Sequence, residues 1–228
     1  AGSREFSEEV SRIGRWMSHV ADATIEHLIS KADAVPLAKM HRAAFPDFFL
    51  SRLGEPFLVQ FYLGFVTDPA AVIVVSRNSS GLPQGVAVGT TDPVGFFGRL
   101  LRRRLLGFAG ASVRAALKHP SVVPRLLSAV SYRGDTPPGR EGALLSSICV
   151  DPSCSGQGVG STLVRGWIRR AGVMGSQLAF LTTDAVGNDA VNSWYVHEGW
   201  VLSERFVAHG DRPMNRYEFD LRVLDGHS

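Results

Sequence analysis

Cysteine is scarce in this 228-residue chain, which has only Cys149 and Cys154. Two thiols exclude a disulfide framework and a cysteine-rich metal cluster, and they point to a reducing cytoplasm. No run of eighteen or more apolar residues occurs, so no membrane span is expected. The seven histidines show no metal-ligand spacing. Charge is sparse too, at 20% of residues, with a net charge of +3 and a pI near 9.1. That mild excess suits a ligand carrying several negative charges but is no nucleic-acid footprint. A hydrophobic content of 45% is ordinary for a globular protein, and the length suits one domain with a substantial core. The opening Ala-Gly-Ser-Arg-Glu-Phe lacks a methionine and reads as an expression-vector remnant, leaving 7–228 as a single domain.

The most telling stretch lies between Leu144 and Trp200. A strand-like segment (Leu144, Leu145, Ile148, Val150) stops at Pro152, and glycines follow at alternate positions, Gly156, Gly158 and Gly160. An amphipathic helix begins at once. Glycines let a ligand approach the backbone, and the first N–H groups of a helix lack partners within it. With the positive end of the helix dipole added, the loop is a pocket for an anion such as a diphosphate. It is no nucleoside-triphosphate loop, because Gly160 is followed by Ser161 and Thr162 with no lysine. Nor is it a dinucleotide fingerprint: the glycine spacing is wrong, it lies late in the chain, and position 180, where an acidic residue is expected, holds Phe180.

The segment resembles the acyl-CoA loop of the GNAT acetyltransferase superfamily, whose pattern is Arg or Gln, two residues, Gly, one residue, then Gly or Ala. Gly158 and Gly160 match, whereas the leading position holds Ser155. Val150-Asp151-Pro152 is similar to the end of the family's fourth strand. The spaced set Asn188, Val191, Tyr195, Gly199 and Trp200 resembles the family's Asn-x-x-Ala-x-x-x-Tyr-x-x-x-Gly-Phe helix. The resemblance is close over the last third of the chain and only a matter of pattern before it. It implies an α/β fold with a twisted, mixed central sheet and helices on both faces. It also implies acetyl-CoA as co-substrate, its pantetheine arm lying between two splayed strands and bonding backbone near Ile148, Cys149 and Val150. The diphosphate would sit on Gly156, Gln157, Gly158, Val159, Gly160 and Ser161, and Asn188 would bond the arm.

Periodicity fills in the rest. A first strand is expected at 24–30, then a helix at 32–45 with Val35, Leu37, Ala38 and His41 on one side, stopped by Pro46. The apolar 55–65 suits a second helix, and 70–76 and 84–91 a hairpin around Asn78–Gly81. Strands follow at 142–150 and 177–183, helices at 159–171 and 188–197, and two closing strands. In the helix at 159–171, Arg165, Arg169 and Arg170 fall opposite the apolar face. A lead-in at 7–20 reads as helical or mobile. Between about 94 and 139 lies a helical insertion that the family core lacks, rich in arginine (Arg99, Arg102, Arg103, Arg104, Arg114, Arg125) and leucine. Its favoured reading is a solvated helical face; a grip on an anionic substrate ranks second and a peripheral membrane contact third.

For chemistry, the resemblance implies that Tyr195 protonates the departing CoA sulfur. Asn188 also suits a helix N-cap. The general base is open. Where many relatives carry a glutamate the chain has Thr183; Asp184 is the nearest carboxylate, and relayed water, Asp47 or Glu141 is equally admissible. Cys149 reads as a buried structural thiol, not an acyl-carrying nucleophile. The expected acceptor is a primary amine of a small polar molecule such as an amino sugar, lined by Asp47, Phe48, Phe49 and Arg52. A protein N-terminus is the competing acceptor, and a non-catalytic acyl-CoA sensor the competing class.

Overall fold

The computed structural model describes residues 25–26, 30–46, 48–103, 142–208 and 210–227. The expected lead-in, the first six residues, most of the insertion, Asp47 and Glu141 lie outside the described residues.

A seven-stranded mixed sheet runs through the molecule. Its strands are β1 (Ile25–Glu26), β2 (Ala71–Arg77), β3 (Pro83–Thr90), β4 (Ala143–Val150), β5 (Leu178–Asp184), β6 (Val201–Ala208) and β7 (Arg212–Asp220), in the order β1-β2-β3-β4-β5-β7-β6. β2 shows why the sheet is covered on both sides. Its β-branched run alternates, Val72 and Val74 into one core and Ile73 and Val75 into the other. The β2–β3 hairpin turns where expected: the Asn78 side chain accepts from the N–H groups of Ser80 and Leu82, and Gly81 takes φ +81°.

On one face lie α1 (Ala34–Ala44), the short α2 (Phe49–Arg52), α3 (Glu55–Val66) and α4 (Phe96–Arg103). α1 is anchored at its start, where Asp33 accepts from Ser30 and takes a two-pronged ion pair from Arg77 at 2.8 and 3.0 Å. Its buried side is Ala34, Leu37, Ala38, Met40 and His41, positions three and four apart. Val35 falls off that face and is 42% exposed, so it does not share a side with Leu37, Ala38 and His41 as expected. α4 opens the insertion, and Phe96 and Leu100 are buried in the core under α3. Gly64 permits that approach, since a Cβ there would meet Leu100 Cγ at 2.5 Å.

On the other face lie α5 (Val159–Val173) and α6 (Asp189–His197). Trp167 of α5 is fully buried, and its indole N–H donates to the Val72 carbonyl at 3.1 Å. Leu163, Ile168, Tyr195, Trp200, Tyr217 and Phe219 complete this core. No helix among the described residues is long and apolar enough to cross a membrane.

Candidate active site

The one parallel junction among the described strands is nearly open. β4 and β5 pair only at Ala143↔Ala179 and Leu144↔Phe180, and beyond those positions β4 keeps only its antiparallel partner β3. Every second residue of β4 therefore turns its N–H and C=O away from β3 and into the gap. The β3–β4 register shifts between Val88 and Gly89, leaving Ser146 as an extra residue in β4. Ile148, Cys149 and Val150 follow on the same strand.

At the mouth of this gap β4 runs into the glycine loop. Asp151 caps a single turn, Pro152–Cys154, by accepting from the backbone N–H and hydroxyl of Ser153 at 2.9 and 2.6 Å. Those bonds hold its carboxyl below the ordinary range. Gly156 and Gly158 then adopt φ +75° and +78°, the left-handed region that favours glycine. Nothing lies within 4 Å of where a Cβ would stand at either, so the space above the loop is open. The N–H groups of Gly156, Gly158, Val159, Gly160 and Ser161 take no backbone acceptor among the described residues. Gln157 differs: its backbone N–H bonds the Cys154 carbonyl and its amide the Ser153 carbonyl, so it shapes the loop. The Ser161 hydroxyl is likewise committed, donating to Glu198 at 2.6 Å, which leaves its backbone N–H for a ligand.

The far side of the gap is the end of β5 with α6. Asn188 stands at the N-cap position of α6, yet its side chain makes no capping bond. Its amide instead donates to the Thr183 hydroxyl at 2.8 Å and the Asp184 carbonyl at 3.3 Å. Asp184 is held by both prongs of Arg212 from β7, an ion pair that raises the arginine pKa. Tyr195 is buried, 4.8 Å from Trp194 and 5.8 Å from Tyr217 between ring centroids. Burial pushes its phenol well above the usual range, and its hydroxyl bonds no described residue.

On the opposite face of the sheet, Phe48 and Arg52 are exposed around α2, as is Phe45, while the side chain of Phe49 lies outside what is described. Beneath Phe45 and Phe48 sits His41, fully buried, its Nδ1 2.9 Å from the Tyr62 hydroxyl. Burial lowers its pKa to about 4. The Cys149 thiol is buried as well, and desolvation pushes it up to about 12, so it stays protonated at neutral pH.

Two features escaped the sequence. Glu198 is 99% buried and ties α5 to α6 through Ser161 and, at 3.0 Å, Arg165. Arg165, on the side opposite the apolar face, thus belongs to a largely buried ion pair. Asn192 is the other: its amide bonds the carbonyls of Asp184 and Asn188, and its oxygen accepts from Asn215 and Tyr217. A polar residue three or four positions from a helix start carries no pattern that reveals such a junction. Among the described residues no cluster of His, Cys, Asp and Glu could hold a metal.

No protein-family model matches the sequence, and no curated protein matches it. Solved structures do match in shape. A protein of Desulfovibrio desulfuricans assigned to the GNAT acetyltransferases is 12% identical, with a TM-score of 0.58 over 88% of this chain and 99% of its own. The ribosomal-protein-S18-alanine N-acetyltransferase of Escherichia coli is 14% identical, with a TM-score of 0.54 over 88% and 94%. A Salmonella typhimurium protein assigned as an acetyltransferase, solved with its cofactor acetyl-CoA, is 15% identical, with a TM-score of 0.54 over 87% and 93%.

Proposed function

From a chain that has the GNAT acetyltransferase fold, we propose an enzyme that moves an acetyl group from acetyl-CoA to an amine. The observation that carries this reading is the gap between β4 and β5 with the unpaired N–H groups of α5 at its mouth. A diphosphate has several donors and a helix dipole to meet there. An extended arm with two amides has strand edges to bond. Gly156, Gly158, Val159, Gly160 and Ser161 would hold the diphosphate through backbone groups. Ile148 to Val150 and Asn188 would hold the arm.

The chemistry is direct transfer. A neutral amine attacks the thioester carbonyl, the new C–N bond forms, and the tetrahedral oxyanion is met by β4 backbone N–H near Val150. The C–S bond then breaks, and Tyr195 gives its proton to the leaving sulfur. Its raised pKa keeps that proton in place at neutral pH. Asp184 is engaged by Arg212, which favours a role in holding the β5–α6 loop over a role as base. The amine's proton then passes to water. Two free thiols fit a reducing, cytoplasmic setting.

The acceptor we favour is a small polar amine with an apolar face, meeting the exposed rings of Phe45 and Phe48, with Arg52 beside them. The test is release of free thiol from acetyl-CoA with a panel of amines, alongside calorimetry of acetyl-CoA alone. Tight binding without release for any amine, including peptide N-termini, would leave a sensor instead of an enzyme.

A further inference from the structure

His41 carries an atom that the proposed chemistry leaves unused. Its Nε2 is buried and has no hydrogen-bond partner among the described residues, and the residue is only 1% exposed. The Tyr62 hydroxyl, fully buried, has His41 Nδ1 as its partner at 2.9 Å and no other among the described residues. Of the two tautomers, the one that leaves Nδ1 bare lets the Tyr62 hydroxyl donate to it, and that tautomer puts the ring proton on Nε2. The outcome is a fixed N–H donor aimed away from Tyr62. Phe45 lies 5.3 Å from the imidazole and Phe48 and Phe61 each 6.4 Å; of these three, Phe45 and Phe48 have an outer side, 37% and 43% exposed, whereas Phe61 is buried. Phe45 and Phe48 sit on the short connection between α1 and α2, with Pro46 between them. Two aromatic rings with a wet outer side thus pack around the imidazole that carries the unpaired donor. Burial keeps the imidazole neutral, so the donor brings no charge that would repel a cationic amine on approach.

Resting on the acetyl-transfer reading above, we propose that His41, set in place by Tyr62, is the anchor of the acceptor subsite: its Nε2–H donates to an oxygen, hydroxyl or carbonyl, that the acceptor carries next to its amine. Phe45 and Phe48 cover the acceptor's apolar face and turn aside to admit the oxygen. Tyr62 shares its buried core with Cys149 on β4. The anchor therefore adjoins the strand along which the thioester is held. The site accordingly selects amino alcohols and amino carbonyl compounds over plain alkylamines, because a donor built for an oxygen is left unpaired by an analogue lacking it.

A matched pair of amines tests this: 2-aminocyclohexanol, and cyclohexylamine, which lacks only the hydroxyl. The wild-type protein should acetylate the amino alcohol with a KM at least about tenfold lower. His41→Phe should erase that preference by raising the amino alcohol's KM, while the KM of acetyl-CoA and of cyclohexylamine stays unchanged. His41→Gln, which retains a donor, should restore part of it. Equal KM shifts for both amines, or none, would overturn the inference and leave acetyl transfer standing. No thiol release by the wild-type protein with any amine would overturn both. If His41→Phe does not fold, the wild-type protein still decides: with acetyl-CoA bound, the amino alcohol should shift the His41 Nε2–H NMR resonance and cyclohexylamine should not. An unshifted resonance rules the anchor out.

Discussion

Tyr195 owes its properties to what surrounds it, since Trp194, Trp200 and Tyr217 exclude water from the phenol. Exclusion of water disfavours the phenolate, so the acid form persists well past the usual tyrosine pKa. Replacing Tyr195 with Phe should therefore leave acetyl-CoA affinity intact and lower turnover on the order of 10²-fold in steady-state assays. For the wild-type protein, the alkaline limb of the rate profile should show no loss near pH ~10, where an ordinary tyrosine ionises. Gly158 offers a complementary test at the other end of the cofactor. An Asp there fits the empty space but sets a negative charge against the diphosphate, costing at least about 2 kcal/mol of binding. The neutral Asn, which tolerates the left-handed backbone at φ +78°, should lose much less by calorimetry. Equal losses would assign the effect to backbone strain instead. Glycines and an aromatic at a fixed spacing were legible in the chain because spacing is a property of sequence. Glu198 was not, because its partners Ser161 and Arg165 are 37 and 33 positions away and a glutamate near a helix end usually faces water.

At the scale of elements, α3 and α4 touch backbone to side chain at Gly64 and Leu100. Gly64→Ala should destabilise the protein by about 1–3 kcal/mol in urea melts, since the added methyl has no room. Pairing it with Leu100→Ala should recover part of that loss, and strict additivity of the two would show that the helices are not in contact. The start of the basic insertion is therefore core, and its Arg99 is occupied at Asp92, 2.8 Å away, and at two nearby carbonyls. Arg102 is exposed. Apart from the first strand, expected over 24–30 and seen only at Ile25–Glu26, the helices and strands expected from periodicity agree with the structure to within a residue or two, because apolar spacing records which side is buried. The opening of β4 from β5 has no such record. Each strand looks complete by itself, and only the likeness of the loop and of α6 to a known family pointed to a gap between them.

For the molecule as a whole, acid stability turns on His41 and Asp33. His41 has a folded pKa near 4 against 6.5 for the unfolded chain, so below pH 6.5 the unfolded state binds the extra proton. Stability should fall as pH drops from about 6.5 to 4, by an order of about 3 kcal/mol, and level off below that. Thermal melts of His41→Phe across the same range should be flatter. Asp33, lowered by Arg77, acts in the same direction at lower pH: its contribution is present above the unfolded pKa and disappears as its folded pKa is passed. The gap in the sheet has a consequence for the empty protein. Two strand edges lie inside the fold, each a row of amides open to exchange with deuterium and to pairing with any passing strand. Without acetyl-CoA those amides should exchange early and the protein should self-associate on warming. Saturating cofactor should slow both, in effect supplying the missing rung of the sheet.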